Sequence, residues 1–94
     1  MDSNLHLVLG SADSFDACRQ FVRQGDAVLL ADAGVMALAG DLTGFSSEVP
    51  LLALHADVAA RGLLQRAQTL PVQLVDDAQW AELVTAHTHT LSWK

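Results

Sequence analysis

The chain of 94 residues has one cysteine, Cys18, and five basic side chains against eleven acidic ones. A single cysteine excludes an internal disulfide, and a reducing cytoplasm is the simplest setting for it. Arg19, Arg23, Arg61, Arg66 and Lys94 are spread along the chain, and the net charge is −6. A nucleic-acid backbone is held by clustered Lys and Arg, so direct nucleic-acid binding is not expected. No apolar run approaches a membrane span, and no basic stretch leads into an apolar core as in a signal peptide. Gly-x-Gly-x-x-Gly after the first strand, a Walker-type lysine loop, a serine elbow and a Cys-x-x-Cys pair are all missing. These gaps remove the familiar nucleotide-binding, hydrolase and redox-motif readings. No cofactor or metal is implied.

What is present is apolar. About half of the residues, 51%, are hydrophobic and only 17% are charged. This length makes one domain, residues 1–94, and so small a domain buries a modest share of its surface. With little charge to cover the outside, some apolar surface is expected to be covered by a partner subunit.

The organising stretch is Gly25 to Val35. A turn residue and an acid precede the apolar run Ala27 to Ala31, and Asp32, Ala33 and Gly34 break it. A continuous apolar run flanked by turn residues is the pattern of a strand buried on both faces, as in parallel sheets. Leu5 to Gly10, Leu51 to His55 and Val72 to Val75 read as further strands, and Thr88 to Trp93 as a last short one. Between them, Phe15, Cys18 and Val22 with Phe21 mark an amphipathic helix capped by Asp13 or Ser14 and stopped by Gly25. Val35 to Ala39 reads as a short apolar helix. Asp57 is expected to cap a helix over Val58 to Arg61, and Leu63 to Gln68 makes another turn or two. Asp76 with Gln79 has the form of a capping pair before a helix carrying Trp80, Leu83, Val84 and His87. Asp41 to Pro50 is irregular and reads as a mobile or partner-facing loop. Strands alternating with helices predict an α/β fold with a small, open, mainly parallel sheet and flanking helices.

Cys18 is the candidate catalytic residue. One reading makes it a sulfur-carrying nucleophile; the other makes it a small buried hydrophobe on the helix face of Phe15 and Val22. Its mid-helix position gives little of the dipole that lowers a thiol pKa. His6, His55, His87 and His89 show no metal-ligand spacing. Asp26 and Asp32 flank a strand about 20 Å long and cannot act on one bond. Asp26 reads as a turn residue, and Asp32 as a loop residue at the carboxyl edge of the sheet. Gly10 to Ser14 could cradle an anion at a helix start, although Asp13 and Asp16 would oppose a phosphate. A small-ligand site around Asp32 and Gly34 is a further reading of the same edge.

Several pieces in order resemble one family. They are Leu5-His6, then Gly25-Asp26-x-Val28-Leu29-Leu30-x-x-x-Gly34-Val35-x-Ala37-Leu38, then Leu54-x-x-Asp57-Val58-x-Ala60-Arg61-Gly62-Leu63. Asp76, Trp80, Leu83-Val84-Thr85, His87 and Trp93 complete the set. The ordered set resembles TusB/DsrH, the small subunit of the TusBCD and DsrEFH sulfur-relay complexes. The resemblance implies a fold of the DsrE/DsrF type. It also implies a heterohexamer with homologous TusC/DsrF-like and TusD/DsrE-like subunits, and through them a sulfur acceptor of the TusE/DsrC type. In the Tus system persulfide sulfur travels toward 2-thiouridine at the tRNA wobble position, and in the Dsr system the relay serves oxidation of stored sulfur. The principal carrier cysteine belongs to the TusD/DsrE subunit, and the B/H subunit is structural or accessory. Some DsrH members have a first-helix cysteine at the spacing of Cys18 from Gly25, which keeps a sulfurtransferase acting through Cys18 as the alternative.

Overall fold

The computed structural model describes residues 3–42, 45 and 48–94. The expected strand after Asp26 is β2, Ala27–Leu30, and every residue of it is buried. β1 is Asn4–Val8, β3 Leu51–Leu54, β4 Gln73–Val75 and β5 His89–Trp93. All four pairings are parallel, in the order β4-β3-β2-β1-β5. The fold is therefore the α/β class with an open sheet, here entirely parallel.

The chain steps in one direction through β1, β2, β3 and β4, then returns past β1 to place β5 on the far side. Parallel crossovers are right-handed, so a reversal of travel sends the connecting helix to the opposite face. The packing follows this rule. Phe15 and Cys18 of α1 (Ala12–Arg19), Val35, Ala37 and Leu38 of a 3₁₀ helix (Asp32–Ala39), Val58 of α2 (His55–Ala60) and Ala67 of α3 (Leu64–Ala67) cluster with Val8, Val28, Leu30, Leu51 and Ala53. On the other face, among the described residues, Leu5, Leu7, Ala27, Leu29, Ala31, Leu52, Leu54 and Val75 pack with Leu9 and two side chains of α4 (Asp77–Ala86), Trp80 and Leu83. One helix with no buried residue of its own covers that face. Alternate strand residues thus serve two cores, which is why the strand sequences read as unbroken apolar runs.

Several element ends differ from expectation. α1 starts after Ser11, so Asp13 and Ser14 lie inside it and cap nothing; the Ser14 N–H bonds the Ser11 carbonyl instead (2.9 Å). α1 ends at Arg19, before Val22, and Gly25 turns the chain later with φ of 95°. β3 stops at Leu54, and His55 opens α2. Asp57 falls in the first turn of α2 without capping it, and its carboxylate bonds Asp32. The apolar stretch to Ala39 is a 3₁₀ helix beginning at Asp32. Arg66 holds its far end, donating from Nε to the Leu38 carbonyl (2.9 Å) and from Nη2 to that of Gly40 (3.3 Å). The Asp76–Gln79 capping box forms as read. Of the Asp41–Pro50 loop, residues 43, 44, 46 and 47 lie outside the described residues; Phe45 stacks on Phe15 and Val49 is buried. Among the described residues no helix is long and apolar enough to cross a membrane.

Gly34 shows how closely the 3₁₀ helix approaches the sheet. A Cβ there would collide with the carbonyl oxygen of Val8, a backbone atom that cannot swing away. Gly34→Ala is expected to destabilise the fold by roughly 3 kcal/mol, the upper range for overpacking, read as a lowered urea midpoint at unchanged slope.

Candidate functional site

Three places could carry chemistry: a buried polar chain at the β1–β5 junction, the carboxyl edge of the sheet, and a groove under α4.

The first was not legible in the sequence. His6 lies on β1 and Asp26 in the turn before β2, and they are 1% and 3% exposed. His6 Nε2 is 2.9 Å from Asp26 Oδ2, and the Trp93 indole N–H points at His6 Nδ1 at 3.1 Å. Indole nitrogen only donates, so Nδ1 is the acceptor and carries no hydrogen. The ring proton therefore sits on Nε2 and goes to the carboxylate, an assignment made from the bonding pattern. Asp26 also accepts from the backbone N–H of Asn4 (2.9 Å) and of Arg23 (3.1 Å). Burial alone would raise this carboxyl. The bonds from His6, Asn4 and Arg23 outweigh it and hold Asp26 below its ordinary value of 3.8. Asp26 does close the turn, as read, but it is also the anchor of a buried network.

Cys18 sits beside this network at 0% exposure. Burial pushes its thiol up to about 12, and the charge on Asp26 adds to the rise. The thiolate is the nucleophile, and at neutral pH this site holds the thiol. His6 uses both ring nitrogens within the network, so it offers no free base.

At the carboxyl edge Asp32 adopts a left-handed backbone, φ 51°, a conformation that Asp tolerates better than most residues. Its N–H donates to Asp57 Oδ2 (2.6 Å), and its carboxylate accepts from Arg61 Nη2 (3.2 Å). The Asp32–Arg61 pair is exposed, where an ion pair contributes little. Asp26 and Asp32 stand at opposite ends of β2, as expected. The groove lies elsewhere, between α4 and strands β2 to β4. It has a volume of about 550 Å³ and is lined among others by Ala27, Leu52 and Val75 of the sheet and Glu82, Leu83 and His87 of α4. The edge at Asp32 and Gly34, read as a ligand site, does not border it. His87 donates through Nδ1 to the Leu83 carbonyl (2.8 Å), while His55 and His89 are exposed. Among the described residues no group of three or more His, Cys, Asp or Glu is placed to hold a metal ion.

The profile of a family described as DsrH like protein matches residues 10–90. The chain belongs to the DsrH family. No curated protein matches it. Membership makes this DsrH chain a sulfur-relay subunit, of a family that works in complexes with partner subunits. The matched span holds Cys18, Asp26, Asp32, Asp57 and Arg61. His6 and Trp93, the other two members of the polar chain, fall outside it.

Two outcomes follow from this geometry. In the native protein Cys18 should be inert to Ellman's reagent over the time in which the denatured chain reacts fully; rapid native labelling would show an accessible thiol. Asp26 has a lowered folded value, so its contribution is present above 3.8 and is lost as pH falls through the folded value. Asp26→Asn is expected to cost roughly 2 kcal/mol at neutral pH, with the gap to the parent protein closing in urea titrations below about pH 4.

Proposed function

We propose that this chain is an accessory subunit of a cytoplasmic persulfide relay. The carrier cysteine lies on a TusD/DsrE-like partner, a TusC/DsrF-like subunit completes the heterohexamer, and a TusE/DsrC-type protein accepts the sulfur. The relay supplies 2-thiolation of the tRNA wobble uridine. The observation that supports this role is the state of Cys18: fully buried and protonated at neutral pH. A carrier cysteine has to meet a donor and an acceptor in turn as a thiolate, and a buried thiol is poorly placed for both. The fold supplies instead an exposed edge strand and a face covered by one lightly packed helix. Those are surfaces suited to neighbouring subunits.

The test is co-expression with the two homologous subunits, followed by native mass and sulfur transfer from a cysteine desulfurase. The expected result is a stoichiometric complex in which Cys18→Ala transfers sulfur at the parent rate. Loss of transfer in that variant, with the complex intact, would move the carrier role to Cys18. A chain that stays monomeric beside those partners would remove the proposal.

A further inference from the structure

We propose that the Trp93–His6–Asp26 chain is a proton-operated clasp, which releases the Trp93 indole from the sheet when His6 takes up a second proton. In the clasped state each ring nitrogen has one role: Nδ1 accepts from the indole at 3.1 Å and Nε2 donates to Asp26 at 2.9 Å. A proton from solvent can bind the ring only at Nδ1. The cationic ring then presents N–H groups on both sides. The Asp26 bond becomes an ion pair and strengthens, while at Nδ1 two donors face each other and the indole bond is lost. Protonation thus exchanges one bond for the other and leaves Asp26 in place.

The surroundings confine the effect to Trp93. On the elements packed against His6, the titratable or charged groups are Cys18 and Arg19 of α1, Arg23 and Asp26 before β2, His89 of β5 and Lys94 just after it. Asp13 and Asp16 of α1 are exposed. Between about pH 5 and pH 8, where a histidine changes charge, Cys18 stays a thiol and Asp26 a carboxylate. The backbone ladder of β5 with β1 does not depend on the indole, and the Leu9 and Gly10 N–H groups still reach the Trp93 carbonyl (2.8 and 3.2 Å). What moves is the aromatic shelf. Trp93 stacks on Phe21 at 5.6 Å between ring centres, Phe21 is 62% exposed, and Leu91 shares this side of β5. Releasing the indole remodels the apolar surface beside the outer edge strand, so that surface is pH-dependent.

The full chain, labelled with ¹⁵N, tests this by nuclear magnetic resonance. Trp80→Phe identifies the Trp93 indole signal, because the chain has two tryptophans. Near pH 8 the His6 ring should show a bare Nδ1 and a protonated Nε2, and the indole N–H should resist exchange. On acidification the indole signal should shift and lose that protection with the same midpoint as the His6 ring. His6→Gln should abolish the indole transition. Trp93→Phe, which removes the competing donor and keeps the ring packing, should make His6 roughly three- to tenfold easier to protonate, the value of one net hydrogen bond. An unmoved indole while His6 titrates, the opposite ring tautomer, an unchanged His6 midpoint in Trp93→Phe, or loss of the whole amide spectrum in step with the indole would each overturn the clasp.

Discussion

The position of β5 beside β1 is the constraint on which the rest of the molecule depends. If β5 followed β4 outward, every helix would lie on one face and the other would be bare. Because the chain turns back, right-handed connection sends α4 across the opposite face. One ten-residue helix then spans a layer that four segments share on the other side. Its outer residues stay exposed, and a groove of about 550 Å³ remains between it and β2 to β4. The same turn brings Trp93 over His6, so the lightly covered face and the buried polar chain have one topological cause.

Among the described residues, His6 and Asp26 of that polar chain are the buried polar or charged side chains of an otherwise apolar interior. A buried carboxylate is tolerated only when its oxygens are bonded. Asp26 has three donors from three places: the His6 ring, the start of β1 and the turn after α1. Removing any of them leaves the charge short of a partner, which is how a local change in one segment would be felt in the others. Burial keeps the Cys18 thiol protonated, and the charge on Asp26 adds to that effect.

β2 and β3 are legible because burial on both faces leaves an unbroken apolar run, and both fall within a residue of where the runs put them. The Asp76–Gln79 box was legible because it is local chemistry. The helix starts after Ser11 and at His55 are not, since neither end has a side-chain cap: the Ser14 N–H bonds the Ser11 carbonyl, and the Asp57 carboxylate is taken up by the Asp32 N–H. The tighter winding of the 3₁₀ helix is not legible, because nothing in Val35 to Ala39 signals it; Arg66, far along the chain, bonds the Leu38 and Gly40 carbonyls at its end. His6, Asp26 and Trp93 are not legible as a set. Their meeting needs the β1–β5 register, in which Val8 stands opposite Trp93, and no spacing within one segment encodes that. Strand parity alone would have placed His6 with Val8, on the side that α1 covers.

The β1–β5 ladder has a consequence for how the chain reaches this state. It joins residues 4–8 to residues 89–93. Of all the pairings in the sheet, this one closes the longest loop and costs the most chain entropy. An all-parallel sheet has no hairpin to nucleate it, and such non-local order forms slowly. Until the loop closes, β1 keeps a free edge beside the apolar rows of Leu5, Leu7 and Val8, the kind of edge that templates association between incomplete chains. The indole bond to His6 lies on this closure, so a contact made by one side chain helps decide how long the molecule stays adhesive before it is finished.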